Sequence, residues 1–187
     1  MRGLFASLSL LAAVMLITGC GEDAPADPAL RAELLTMMER DQQVRAPGAD
    51  PDRMAGVDRA NTERMRRILD THGWPGHALV GEDGAHAAWV MVQHADLDPE
   101  FQRRGLALMR QAVAKDDADP GDLAYLTDRV RVAEKKPQVY GTQWGVDAEG
   151  TWQPRTPIEN EAEVDERRAE AGLQPLRDYL KELQSMQ

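Results

Sequence analysis

Ala85-His86-Ala87-Ala88-Trp89-Val90-Met91-Val92-Gln93-His94-Ala95 is the stretch on which the fold turns. Apolar side chains take nearly every position, so a helix built from it has no face left for water. Such a helix belongs at the centre of a bundle. The flanking segments supply the amphipathic helices that would surround it. Pro28 to Arg45 carries Leu30, Leu34, Met37 and Met38 on one stripe, and Val57 to Thr71 carries Met65, Ile68 and Leu69. Downstream, Pro99 to Lys115 places Phe101, Leu106, Leu108, Met109 and Val113 at helical spacing. Pro120 to Lys135 does the same with Leu123, Leu126, Val130 and Ala133.

Punctuation agrees with this reading. Asp27-Pro28, Asp98-Pro99 and Asp119-Pro120 each pair an N-capping aspartate with a proline suited to the first helical position. Asp50-Pro51 repeats the dipeptide but is assigned to an Ala46–Met54 loop with Pro47 and Gly48. Gly73 is the expected left-handed stop of the second helix. From Gln138 to Trp152 the periodicity fails, and glycines with two tryptophans indicate a polar loop or short hairpin. Helices resume at Glu161 to Ala171 and at Pro175 to Leu183. The expected architecture is therefore mostly α: an irregular bundle of about six to seven helices, in one domain over residues 28–187.

The amino terminus gives an address. Arg2 precedes an uncharged run from Gly3 to Gly19 that ends Ile17-Thr18-Gly19-Cys20, and Cys20 is the only cysteine of 187 residues. A basic start, an apolar middle and small residues before a cut site describe a secretory signal. The run falls short of the roughly 20 apolar residues that span a bilayer. Its end resembles the lipobox of bacterial lipoproteins, which implies cleavage after residue 19, diacylglycerol on the Cys20 thiol and a short tether over residues 20–27. Gly21 after the cysteine resembles sorting to the outer membrane, facing the periplasm, if the host is Gram-negative. With no second cysteine the domain has no internal disulfide, so its stability rests on packing.

Charge narrows the partners. The chain holds 22 basic and 32 acidic residues, a net −10; losing Arg2 with the signal makes it −11. That balance argues against nucleic acid and against adhesion to anionic lipid heads. The expected partners are the membrane, through the lipid on Cys20, and an unidentified small molecule or protein.

All four histidines (His72, His77, His86, His94) fall in or beside Gly73 to Ala95, where Glu82 and Asp83 are the only formal charges. Read as an enzyme, His94 is a general base near neutral pH, oriented by Asp128 or Asp96. Tyr140 completes that catalytic set. Trp89, Gln93, Arg129, Gln138 and Gln143 are candidate ligand-binding residues. Read structurally, the same groups form a polar network that sets helix packing and anchors the Tyr140 loop. Nucleophilic catalysis lacks material: Cys20 is committed to lipid, and Ser185 is the only serine after the signal. No His-Glu-x-x-His helix or cysteine cluster is present, so no metal and no cofactor is expected.

His72-Gly73-Trp74-Pro75-Gly76, Gln93-His94-Ala95-Asp96, Tyr125-Leu126-Thr127-Asp128-Arg129, and Gln138 with Tyr140-Gly141-Thr142-Gln143 resemble a bacterial family known only as domain of unknown function 6624. Val164-Asp165, Arg167-Arg168 and Gly172-Leu173 fit it too. The resemblance covers about Leu34 to Tyr179. It implies a largely helical domain, often exported, and carries no catalytic residue, substrate or cofactor with it. Two functions follow as expectations: a membrane-anchored binding or envelope-interaction module, or a small hydrolase or isomerase using His94 and Asp128.

Overall fold

Helices α1 (Pro28–Gln43), α2 (Pro51–His72), α3 (His77–Gln93), α4 (Pro99–Val113) and α5 (Pro120–Ala133) form the bundle, and the apolar segment supplies most of α3. The computed structural model describes residues 24–185; Cys20, the signal and the residues up to Asp23 lie outside the described residues. Each of the other four helices packs against α3, which is the central element that its all-round apolarity requires. Val80, Ala87, Ala88, Met91 and Val92 are buried among Leu34, Met65, Ile68, Phe101, Met109 and Leu126. Each fully buried aliphatic or aromatic side chain contributes about 1.5–3 kcal/mol. Among the described residues there are seven α-helices and one two-stranded sheet, so the mostly α bundle is the fold observed.

The aspartate caps form as expected at α1, α4 and α5, where Asp27, Asp98 and Asp119 accept from Leu30, Phe101 and Asp122 backbone N–H groups. Two boundaries differ from the sequence reading. Asp50 accepts from Asp52 N–H at 2.9 Å, so Asp50-Pro51 starts α2 six residues before Val57. The turn is confined to the Pro47-Gly48 side. Helix α3 begins at His77 rather than Ala85, with a break at Gly81 (φ +74°). Glycine fits there because a left-handed φ strains any side chain.

The chain then closes the bundle from one side. Strands β1 (Trp144–Val146) and β2 (Trp152–Pro154) pair antiparallel, which is the short hairpin read from residues 138–152. A 3-10 turn over Glu161–Glu163 leads into α6 (Val164–Glu170), and α7 (Leu176–Ser185) ends the described chain. Val164, Arg168, Ala171 and Leu176 are the buried residues of this carboxyl-terminal part.

Candidate functional site

The Gln138–Trp144 loop is tied by its backbone only at Gln138, to Pro157 and Glu159, and at Gln143, to Arg155; side chains hold the residues between. Asp128 on α5 is fully buried, and its carboxylate accepts backbone N–H groups from Val139 (2.6 Å), Tyr140 (3.2 Å) and Thr142 (2.9 Å), plus the Thr142 hydroxyl (3.1 Å). The carbonyls from Val139 to Thr142 find side-chain donors as well. Val139 O accepts from Arg167 Nε (2.8 Å), Tyr140 O from Arg168 Nη1 (2.8 Å), Gly141 O from Trp144 Nε1 (2.8 Å) and Thr142 O from the Tyr179 hydroxyl (2.9 Å). Gln138 is likewise spent: Oε1 accepts Gln143 N–H (2.7 Å) while Nε2 donates to Gln143 O (2.9 Å) and Thr156 O (3.0 Å). Buried backbone polar groups must be paired, and from Val139 to Thr142 side chains replace a sheet or helix ladder. Gly141 has φ +65°, and an added Cβ would meet Ile158 Cδ1 at 2.8 Å.

Arg168 is 1% exposed, and its guanidinium lies 5.0 Å from the Tyr179 ring centroid. Burial pulls its pKa below the usual arginine value, against the neighbouring tyrosines and aspartates, which raise it. The Tyr140 hydroxyl is pushed up by burial and by the charge of Asp128.

Outside this clamp lies a second, more exposed network. Arg129 grips Asp96 with Nε (2.8 Å) and Nη2 (2.5 Å), and its Nη1 stands 3.4 Å from Gln143 Oε1. Gln102 joins from α4, donating to Asp96 Oδ1 (3.0 Å) and to Gln93 O (3.1 Å). Burial pushes the Asp96 carboxyl up, but the Arg129 bonds and charge, with Gln102 and His94, outweigh it and hold it below the usual aspartate value.

His94 caps the end of α3 and is not bonded to Asp128. Its Nδ1 lies 2.8 Å from Asp41 Oδ2 and 3.0 Å from Arg45 Nε, both brought by the end of α1. One ring nitrogen serves one of these neighbours at a time: protonated it donates to Asp41, unprotonated it accepts from Arg45. Asp41 is fully buried, and Arg45 also pairs with Asp58 on α2 at 2.6 Å. Nε2 of His94 makes no hydrogen bond among the described residues, and the side chain is 23% exposed.

The structure thus gathers Asp128, Gln138, Tyr140 and Gln143 at one loop, with Arg129 beside it, and places His94 with different partners. Gln93 is buried, with Oε1 unpaired. Trp89 stands apart, on an aromatic ladder with His86 (4.9 Å), Tyr125 (6.2 Å) and onward to Tyr179 (6.1 Å). Three residues absent from the expected set do much of the positioning: Asp41, Gln102 and Arg168. Each had a signal in its own helix. Asp41 continues the Leu30, Leu34, Met37 stripe, Gln102 follows Phe101 on a buried turn, and Arg168 lies one turn after Val164.

Comparison with known proteins adds the family. The model of a family described as "Family of unknown function (DUF6624)" matches residues 28–186, and the chain belongs to that family. No curated protein and no solved structure matches the chain.

Proposed function

We propose that this member of the DUF6624 family is a lipid-anchored protein of the cell envelope whose helical domain is a binding or envelope-interaction module. In a Gram-negative host the anchor lies in the outer membrane and the domain faces the periplasm. The lipobox-like Ile17-Thr18-Gly19-Cys20 supports the address. No helix among the described residues is long and apolar enough to cross a membrane.

The braced Tyr140 loop carries the binding reading. Its backbone is spent internally and Gln143 is buried, bonded to the Thr142 hydroxyl (3.1 Å) and facing Arg129, so the Asp96–Arg129 pair is presented by a frame already ordered. Preorganised groups avoid the ordering cost that otherwise weakens association. The partner suited to this ledge is polar, able to meet a guanidinium and a carboxylate together.

A second reading has its own observation. With Asp41 behind Nδ1 and Nε2 unbonded, His94 has the layout of a general base, and Asp41 holds the place expected of Asp128. A hydrolase or isomerase would act there.

Two experiments test these readings. Cys20→Ala should leave the membrane fraction, and unchanged membrane association removes the anchor. A thermal-shift ligand screen on the full chain in detergent should give hits, since ligands of the folded state raise its midpoint. Hits lost in Arg129→Ala with the fold intact support the ledge. Hits or turnover lost in His94→Ala and kept in Arg129→Ala favour the catalytic reading, and hits indifferent to both discard the site.

A further inference from the structure

His94 closes α3 where the end of α1 meets the start of α2. Two neighbours reach its Nδ1, Asp41 Oδ2 (2.8 Å) and Arg45 Nε (3.0 Å). Arg45 is itself shared. Its Nη2 lies 2.6 Å from Asp58 Oδ1 on α2 and 3.0 Å from Asp41 Oδ1, the latter an ion pair out of line for a hydrogen bond. Asp96, just past the end of α3, feels the charge of His94 and is gripped by Arg129 of α5.

The two contacts of Nδ1 exclude one another. A guanidinium only donates, so Arg45 is served only while Nδ1 carries a lone pair. A carboxylate only accepts, so Asp41 is served only while Nδ1 carries a proton. Charge weighs on the same balance, because the lone guanidinium of Arg45 faces both Asp41 and Asp58. A protonated imidazole supplies the second positive charge.

What Arg45 holds is the weakest part of the bundle. Residues 51–60, the first turns of α2, contribute no buried side chain; those of α2 are Asn61, Met65, Ile68 and Leu69. An added Cβ at Gly56 would meet nothing within 4 Å. Among the described residues, the Arg45–Asp58 pair is the only side-chain bond from this stretch to the other helices or their ends. Segments with few buried contacts open at low cost.

We propose that His94 is a proton-operated latch on the start of α2. With the ring neutral and its proton on Nε2, Nδ1 accepts from Arg45, which then joins the end of α3 to Asp58. A proton taken from water makes the ring a cation, and Nδ1–H turns to Asp41. Arg45 loses its seat on α3, and residues 51–60 loosen. The His94 side chain is 23% exposed, so water reaches it, and histidine changes charge between about pH 5 and 8. The latch stands apart from the lipid anchor and the Asp96–Arg129 ledge. The general-base reading needs the other neutral tautomer, with the proton on Nδ1 and Nε2 open.

NMR on the full chain in detergent micelles tests the latch. Imidazole nitrogen shifts of neutral His94 should show the proton on Nε2. Amide protection over residues 55–60, corrected for intrinsic exchange, should fall about tenfold as His94 becomes protonated. That step equals about 1.4 kcal/mol, the scale of one hydrogen bond from a charged donor. His94→Asn, which does not titrate, should abolish the step. Asp58→Asn should lower protection at every pH and also abolish the step, while His94 still titrates. Circular dichroism checks both folds; if His94→Asn does not fold, Asp58→Asn decides. A neutral ring protonated on Nδ1 overturns the latch and leaves the general base standing. Protection that ignores the His94 titration, or a step that survives in either folded variant, also overturns it.

Discussion

Asp128 gives up all contact with water and receives three backbone N–H groups and a hydroxyl in return. Alanine there leaves those donors buried and unpaired, each at about 1–3 kcal/mol. Asp128→Ala should therefore cost about 3–5 kcal/mol, read from the urea midpoint, in the range for breaking a buried charged network. Asparagine keeps one acceptor oxygen and should lose about half as much. A loss under about 1 kcal/mol for the alanine variant would mean that the loop is held by something else. At the other end of α3, hydrogen bonding to Asp122 raises the His86 pKa above its ordinary 6.5, against burial, which lowers it. Asp122 is itself raised, because burial outweighs the contact with His86. A histidine raised in the folded state adds stability that is full below its unfolded value and fades as pH climbs past the folded one. The His86 proton NMR titration should therefore turn above pH 6.5, and Asp122→Asn should bring it down. A wild-type midpoint at or below the ordinary value refutes the coupling.

At the scale of elements, glycine lets two helices approach. An added Cβ at Gly105 on α4 would lie 2.5 Å from Val92 Cγ1 on α3. Gly105→Ala should destabilise by about 1–3 kcal/mol through overpacking, despite the better helix propensity of alanine. Combining it with Val92→Ala should restore part of the loss in thermal melts, and additive losses would refute a direct clash. The helices themselves were legible because their rules are local. Leu30, Leu34 and Met37 show a stripe, and Asp27, Asp98 and Asp119 show caps. The α2 start was hidden because Asp50-Pro51 stands beside Pro47-Gly48, and the local turn signal outweighed the cap. The start of α3 was hidden for a related reason: Gly81 does break the backbone, yet His77 to Val80 add another turn before it because Asp117 caps them from about forty residues away.

Across the whole molecule, spacing along the chain stops being informative. Gln143, Arg129 and Gln138 were legible as polar groups in suggestive places. That His94 pairs with Asp41, 53 residues earlier, and not with Asp128 depends on how α1 docks on α3. The same docking gives the molecule a direction. Ala26 N–H donates to Ala78 O (3.1 Å) and Asp27 N–H to Leu79 O (2.8 Å), so the tether enters at the start of α3. Cys20 precedes Ala24 by four residues, at most about 14 Å of extended chain. Beyond the break at Gly81, the remaining 12 residues of α3 to Gln93 extend about 18 Å. If Cys20 carries the anchor, the His77 end of α3 lies near the membrane and the His94 end points away from it. Spin labels at Ala78→Cys and at Leu97→Cys, the latter a 62% exposed position, report the difference. Lipid on Cys20 leaves no native thiol to compete for the label. In reconstituted vesicles the label at position 78 should relax faster than that at 97 beside a nickel chelate attached to lipid headgroups. Equal relaxation at both positions would mean that the domain tumbles freely on its tether, and a reversed order would mean that the tether does not leave from the start of α3.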